Sequence, residues 1–288
     1  MDKGNVLAND ASIGNDVRIS PDARIACDRL VIGKGTVITG KTVIACKECV
    51  IGKNNFFSDV WIEGSLTAGD TKITIGSEGL YLQGARLNCN DGLKIGDDVN
   101  VGQQVSVWTH ASSMDVFNGY PFTKAPVAIG SHVWITAGTT VLPGVRIGSH
   151  VVIGNGSLVN RDIPGGCFAA GSPVRIIKEN IYPKKLGIAE KRAIILDAIE
   201  EYRTLLALKP FRADVKMLRG AKVSFSSGGN ETVFDCDKRK ITGELDEFSE
   251  DFRDFLRYRG IKFFTDQPFA SVPPKWYSEL KKKEKRGK

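Results

Sequence analysis

The feature that most constrains this chain is a period of six. Aliphatic residues stand at Ile129, Ile135, Val141, Ile147, Ile153 and Val159, with six positions between each pair. Four residues after each come Val133, Thr139, Val145, Val151, Ser157 and Ile163, all small or β-branched. Glycine follows the aliphatic residue in Ile129-Gly130, Ile147-Gly148 and Ile153-Gly154. With a few slips the pattern runs upstream through Ile13-Gly14, Ile32-Gly33, Ile51-Gly52, Ile75-Gly76, Ile95-Gly96 and Val101-Gly102. Such a period matches neither the helical repeat of about 3.6 nor the strand repeat of about 2. It fits a short strand and a tight turn, repeated. About six residues make one side of a prism and about eighteen one coil, with the aliphatic side chain pointing inward and coils stacking at ~4.8 Å. Glycine is expected to supply backbone angles that other residues resist at the corners.

The pattern [Ile/Val]-Gly-x-x-[Val/Ser/Thr]-x resembles that of the hexapeptide-repeat acyltransferases. The stretch PVAIGSHVWITAGTTVLPGVRIGSHVVIGNGSLVNRDIPGGCFAAGSPVRIIKE, Pro126 to Glu179, is similar to their maltose and galactoside O-acetyltransferase branch almost position by position. The likeness is specific over residues 95–180, general over 11–94, and does not reach 181–288. It implies a mainly β fold, a left-handed parallel β-helix over 1–180. The handedness comes from the resemblance alone, since parallel crossovers are ordinarily right-handed.

The rhythm breaks over SVWTHASSMDVFNGYPFTKAPVAIG, residues 106–130, just after His110, one of three histidines. Acetyl transfer from a thioester to a hydroxyl needs a base, stabilisation of developing charge, and two reactants held together. Histidine suits the base, because its unperturbed pKa of about 6.5 lies near working pH. The family's catalytic histidine stands where an excursion begins, before the proline matched here by Pro126. The resemblance thus assigns that role to His110 and makes 111–125, with Met114, Phe117, Tyr120 and Phe122, a loop that helps select the acceptor.

The same resemblance implies acetyl-CoA as co-substrate, lying between subunits of a homotrimer. Trp134 would shape its groove, and Ala137 and Gly138 would let the backbone approach the pantetheine arm. Gly154, Asn155 and Gly156 fall at the matching place one coil later. Asn160 and Arg161 stand where the family has a Thr-Lys pair, and Arg175 and Lys178 match two further basic positions. Asn88, Asn90, Asp91 and Tyr120 are the acceptor-side candidates. No metal is expected. His132 and His150 are one coil apart and should stack on an outer face, and the three histidines do not resemble the ligand spacing of the family's zinc carbonic anhydrases. Cys27 and Cys46, three repeats apart, should be stacked neighbours, so the C-x-x-C at Cys46–Cys49 reads as repeat filling rather than a zinc or redox site.

No apolar run approaches the roughly 18–20 residues of a membrane span. The opening MDKGNVLAND lacks the apolar core of a secretory signal, so the six cysteines read as reduced thiols and the expected location is cytoplasmic. Residues 275–288 hold seven Lys/Arg and two Glu, hence +5 of the net +7. The body therefore gives no support for nucleic-acid binding. The tail reads as a solvated end, or as weak attraction to an anionic membrane surface or acidic glycan.

Beyond residue 180 the period ends. KKLGIAEKRAIILDAIEEYRTLLALK (184–209) has helical spacing, and two strand-like runs flank Gly228-Gly229-Asn230, a hairpin signal. DEFSEDFRDFLRYRG reads as a helix ended by Gly260, and IKFFTD as a last strand. These elements define a small α+β domain over 181–274. The functional expectation is an acetyl-CoA-dependent O-acetyltransferase acting on a sugar hydroxyl, with a surface-polysaccharide precursor as the candidate acceptor. The alternatives are N-acetylation of an amino sugar and a non-catalytic trimeric scaffold.

Overall fold

The computed structural model describes residues 5–67, 69 and 71–264. The chain forms two compact units, divided between Lys184 and Lys185. The basic tail at 275–288 lies outside the described residues.

The first unit is a parallel β-solenoid whose inward column is the one marked by the period. On one face Ile13, Ile32, Ile51, Ile75, Ile95, Ile129 and Ile147 are successive register partners. On the second, Ile19, Ile38, Phe57, Tyr81, Val101, Ile135, Ile153 and Ala169 follow one another. On the third, Val6, Ile25, Ile44, Ile62, Leu87, Val107, Val141 and Val159 do. Nearly all these side chains are buried and form one continuous core. In the first coils the strands Arg24–Ile32 and Val43–Ile51 run unbroken from the third face onto the first. From Trp61 onward that corner opens, and every irregular segment leaves the prism there.

The glycine after each aliphatic residue works differently from the expectation. A Cβ on Gly33 would lie 2.5 Å from the carbonyl carbon of Gly52, and one on Gly76 would lie 2.6 Å from that of Gly96. These glycines permit close stacking of coil on coil. The left-handed backbone falls two residues later, at Asn54 (φ 54°), Glu78 (φ 65°), Asp98 (φ 52°), His132 (φ 58°) and His150 (φ 59°). Outside the core, Asp10, Arg29, Glu48 and Lys72 alternate in charge across neighbouring coils. Arg29 Nη1 lies 2.7 Å from Glu48 Oε1, and Lys72 Nζ 2.9 Å from Glu48 Oε2.

Cys27 and Cys46 are register partners, as the spacing predicts, and both are buried. A thiol hydrogen bond with Cys46, helped by burial, pushes Cys27 up to about 12, which keeps it protonated and unreactive.

The second unit holds helix α1 (Ile188–Leu206), a four-stranded antiparallel sheet and helix α2 (Glu247–Tyr258). The sequence suggests two strand-like runs, and each folds into two strands. The first turns at Gly220 between Asp214–Met217 and Lys222–Ser227. The second turns at Arg239, with φ of 54°, between Asn230–Asp235 and Lys240–Thr242. The hairpin at Gly228-Gly229 forms as expected, with Ser227 opposite Asn230. Asp246 caps α2, taking the N–H groups of Phe248 and Ser249. No strand forms at 261–264; Ile261 and Phe263 instead plug the core around Tyr202, Phe225, Phe234 and Phe252. Among the described residues no helix is long and apolar enough to cross a membrane.

Replacing Gly33 by Ala is expected to cost about 1–3 kcal/mol, the usual penalty of overpacking, because its three nearest obstacles are backbone atoms that cannot swing aside. Denaturant titration checks this; an unchanged midpoint would rule out close coil stacking as the reason for glycine there.

Candidate active site

The open corner between the third and first faces gathers the acceptor-side candidates around His110. Val107 is still in the prism, and Thr109 is fully buried. His110 then pairs with Lys124, and Ala111 with Thr123, in a two-rung antiparallel neck. The chain beyond the neck is exposed and returns where Ala125 N–H donates to Thr109 O at 3.0 Å. Within it Asp115 caps the short 3-10 turn Val116–Asn118, leaving Phe117 97% exposed. Tyr120 is exposed on the same excursion.

One coil earlier, Asn88 and Asn90 reach under His110. Nδ1 of His110 lies 3.1 Å from Asn88 Oδ1 and 3.3 Å from Asn90 Nδ2. Thr109 ties the set together. Its hydroxyl accepts the Asp91 N–H at 3.2 Å and donates to Asn88 Oδ1 at 2.6 Å. This fixes Asn88 with its oxygen toward the imidazole. Nδ1 must then carry the proton, which leaves Nε2 as the basic nitrogen. Asn90 is held by its own Oδ1, which accepts Ser65 N–H at 2.8 Å. Its amide could donate to Nδ1 only in the opposite tautomer, and the shorter approach of Asn88 Oδ1 favours Nδ1–H. Trp108 stands edge-on to the imidazole, ring centroids 6.4 Å apart.

Asn88 was expected to face the acceptor, but it is only 4% exposed and its oxygen is committed to His110 and Thr109. Asp91 is more suggestive. Its Oδ2 is buried and has no hydrogen-bond partner among the described residues. An unpaired buried carboxylate oxygen is costly unless something completes it. The residue that sequence reasoning missed is Thr109; its only signal was a hydroxyl directly before the histidine, at a position that turns inward.

The coenzyme-side candidates lie on later coils. Trp134 points outward from the second face, 54% exposed, between Asn100 and Val152. Ala137-Gly138 and Asn155-Gly156 occupy the next corner in successive coils, joined by Gly156 N–H to Ala137 O at 3.0 Å. Gly138 and Gly156 both have positive φ, and a Cβ on Gly156 would meet nothing within 4 Å, so this backbone is open to a ligand. Gly154 has a packing reason instead: its Cβ would lie 2.8 Å from that of Ala170. Asn160 and Arg161 are exposed where the third face meets the first, the corner that carries His110 farther up. Arg175 and Lys178 are exposed on the final strand, Arg175–Lys178. Arg161, Arg175 and Lys178 pair with no carboxylate among the described residues.

His132 and His150 stack with centroids 4.7 Å apart, and His132 Nδ1 lies 3.1 Å from Asp98 Oδ2. They occupy the corner between the first and second faces, away from His110. Among the described residues no group of three His, Cys, Asp or Glu is placed to hold a metal.

Comparison with known proteins agrees with this architecture. Residues 126–161 match the family model described as bacterial transferase hexapeptide (six repeats). A putative acetyltransferase of Saccharomyces cerevisiae is 42% identical over 94 residues, 31% of this chain and 47% of that protein. A galactoside O-acetyltransferase of Escherichia coli is 40% identical over 87 residues, 30% of this chain and 43% of that protein. A solved galactoside acetyltransferase in complex with coenzyme A is 27% identical, covers 48% of this chain and 70% of its own, and has a TM-score of 0.32. The chain spans somewhat under half the length of the two curated relatives. The hexapeptide likeness falls on residues 126–161, coils of the solenoid that follow the excursion.

Asn88→Asp is expected to place a carboxylate against Nδ1–H and strengthen that hydrogen bond. The Nδ1–H proton resonance of His110 should move downfield in the NMR spectrum. An unmoved resonance in a folded variant would dismiss Asn88 as the partner of Nδ1.

Proposed function

We propose that this protein transfers the acetyl group of acetyl-CoA to a hydroxyl of a sugar acceptor, with His110 Nε2 as general base. The observation that carries the reading is the Thr109–Asn88–His110 chain, which favours one imidazole tautomer and leaves Nε2 without a hydrogen-bond partner among the described residues. The co-substrate would supply an activated acetyl thioester. Nε2 takes the acceptor hydroxyl's proton as the oxygen bonds to the acetyl carbon. The imidazolium then protonates the sulfur as the carbon–sulfur bond breaks. Through both steps Nδ1–H remains on Asn88, so the ring does not turn. A base so placed contributes about 100-fold to 10,000-fold.

The outer surface fits coenzyme A. Gly138 and Gly156 leave backbone exposed for the pantetheine arm, and Arg161, Arg175 and Lys178 are unpaired cations for its phosphates. Trp134, Ala137, Asn155 and Asn160 flank the same path, while Gly154 shapes it through packing. Asp91 Oδ2 is the natural acceptor for a second hydroxyl of the sugar, with Asn90 beside it. Tyr120 and its excursion would close over an acceptor. The protein would work as a homotrimer with sites between subunits, in the cytoplasm, on a precursor of a surface polysaccharide. N-acetylation of an amino sugar uses the same base, and Asp91 would then meet an amine.

Thiol release from acetyl-CoA, followed with a panel of hydroxyl and amino sugars, tests this. His110→Ala should lose at least about 100-fold in turnover and keep acetyl-CoA binding. Equal turnover in variant and wild type would sink the assigned base. No turnover and no acetyl-CoA binding would leave the trimeric scaffold.

A further inference from the structure

The second unit is electrically lopsided. Its four-stranded sheet has two ends. At one, around the Gly228-Gly229 turn, stand Asp214, Glu231, Glu244 and Asp246. At the other, the turns 218–221 and 236–239 lie side by side, joined by Cys236 N–H to Ala221 O at 2.9 Å. Two further segments, helix α1 and residues 261–264, converge on that end. Arg192 Nη1 donates to Leu218 O at 2.8 Å and Gly220 O at 2.6 Å. Lys191 pairs with Asp237. Arg239 Nη1 donates to Lys262 O at 3.2 Å. Lys222 and Lys240 flank Asp235 on adjacent strands.

Two carboxylates, Asp235 and Asp237, face this collection of cations. Asp235 is also engaged within its own turn: its Oδ1 accepts the Lys238 N–H at 3.0 Å, which holds its carboxyl below the usual range. Arg219, Lys238 and Lys240 are exposed and none forms an ion pair within 4 Å among the described residues, although Asp235 lies opposite Lys240 and feels the charge of Lys238. Their turns are pinned at both ends, so cations in excess over Asp235 and Asp237 are displayed on a rigid edge. Neither turn contains an aromatic residue. Single-stranded nucleic acids ordinarily want stacking platforms, and lipid surfaces want an apolar wedge beside the charge. The two turns themselves offer charge and no exposed large apolar side chain; Phe264, 47% exposed, follows Lys262 by two residues.

We infer that the basic end of the second unit binds an acidic glycan, a sugar polymer bearing carboxylates, through Arg219, Lys238 and Lys240. The choice of a glycan rests on the sugar acceptor proposed above. The edge would hold the polymer by its charges rather than by any one sugar, so binding should weaken steeply with salt.

The whole chain, without acetyl-CoA, is titrated at low salt with polygalacturonate. Dextran, a thymidine oligonucleotide and phosphatidylcholine–phosphatidylserine vesicles run in parallel. The expected result is binding to polygalacturonate and not to dextran. Joint Arg219→Ala, Lys238→Ala and Lys240→Ala replacement should weaken it roughly a hundredfold, taking a factor of a few for each cation. The thermal midpoint and thiol release with a small neutral sugar should not change. A charge-preserving set, Arg219→Lys, Lys238→Arg and Lys240→Arg, should retain binding. Equal affinity of the alanine set and wild type would overturn the inference, as would tighter binding to the oligonucleotide or the vesicles. Polygalacturonate binding by a protein that turns over no acceptor would sink the transferase and leave this inference standing.

Discussion

Everything in the solenoid hangs on one hydrogen bond, repeated. The N–H after each inward aliphatic residue donates to the carbonyl of the aliphatic residue one coil on. Gly33 N–H reaches Ile51 O at 2.8 Å, Gly76 N–H reaches Ile95 O at 2.9 Å, and Gly130 N–H reaches Ile147 O at 2.8 Å. Gly96 N–H reaches Ile129 O at 2.9 Å in the same way, although the whole excursion lies between them. The ladder measures distance across coils and is indifferent to the length of chain between rungs. That indifference lets a regular scaffold carry an irregular loop without distortion.

The candidate chemistry follows from where the ladder lets go. Two corners remain tight turns through most of the stack. The third opens, and its successive coils present Asn88, Asn90 and Asp91, then Thr109 and His110, then Asn160 and Arg161. A buried polar network is tolerable here because its members satisfy one another: Thr109 serves both Asn88 and Asp91. The oxygen left over, on Asp91, is buried without a hydrogen-bond partner among the described residues.

The prism was legible in the sequence because its code is local. Each sextet says which side chain goes in, and Ile129 to Val159 say so without a slip. His110 stands out in the sequence because it interrupts that code. Asn88 was misplaced for the opposite reason. An asparagine beside a turn reads as surface, and only the neighbouring coil shows that its oxygen is enclosed by Thr109 and His110. The glycines were read as corner residues, yet their reason lies in another coil, at the contact of Gly33 with Gly52. In the second unit, Gly220 and Arg239 split each apparent run in two. A glycine inside a strand-like run is ambiguous, and an arginine with positive φ gives no warning at all.

The position of the open corner along the stack has a mechanical consequence. In a solenoid each coil is held by its two neighbours, so the terminal coils fray first and the middle last. His110 belongs to the coil whose third-face rung is Val107, with Leu87 before it and Val141 after it. Opening the first coils at Val6 and Ile25, or peeling away the final strand at Arg175, leaves that neighbourhood shut. The geometry around His110 would thus outlast partial unwinding at either end, and heat or denaturant should disrupt it only when the stack gives way as a whole.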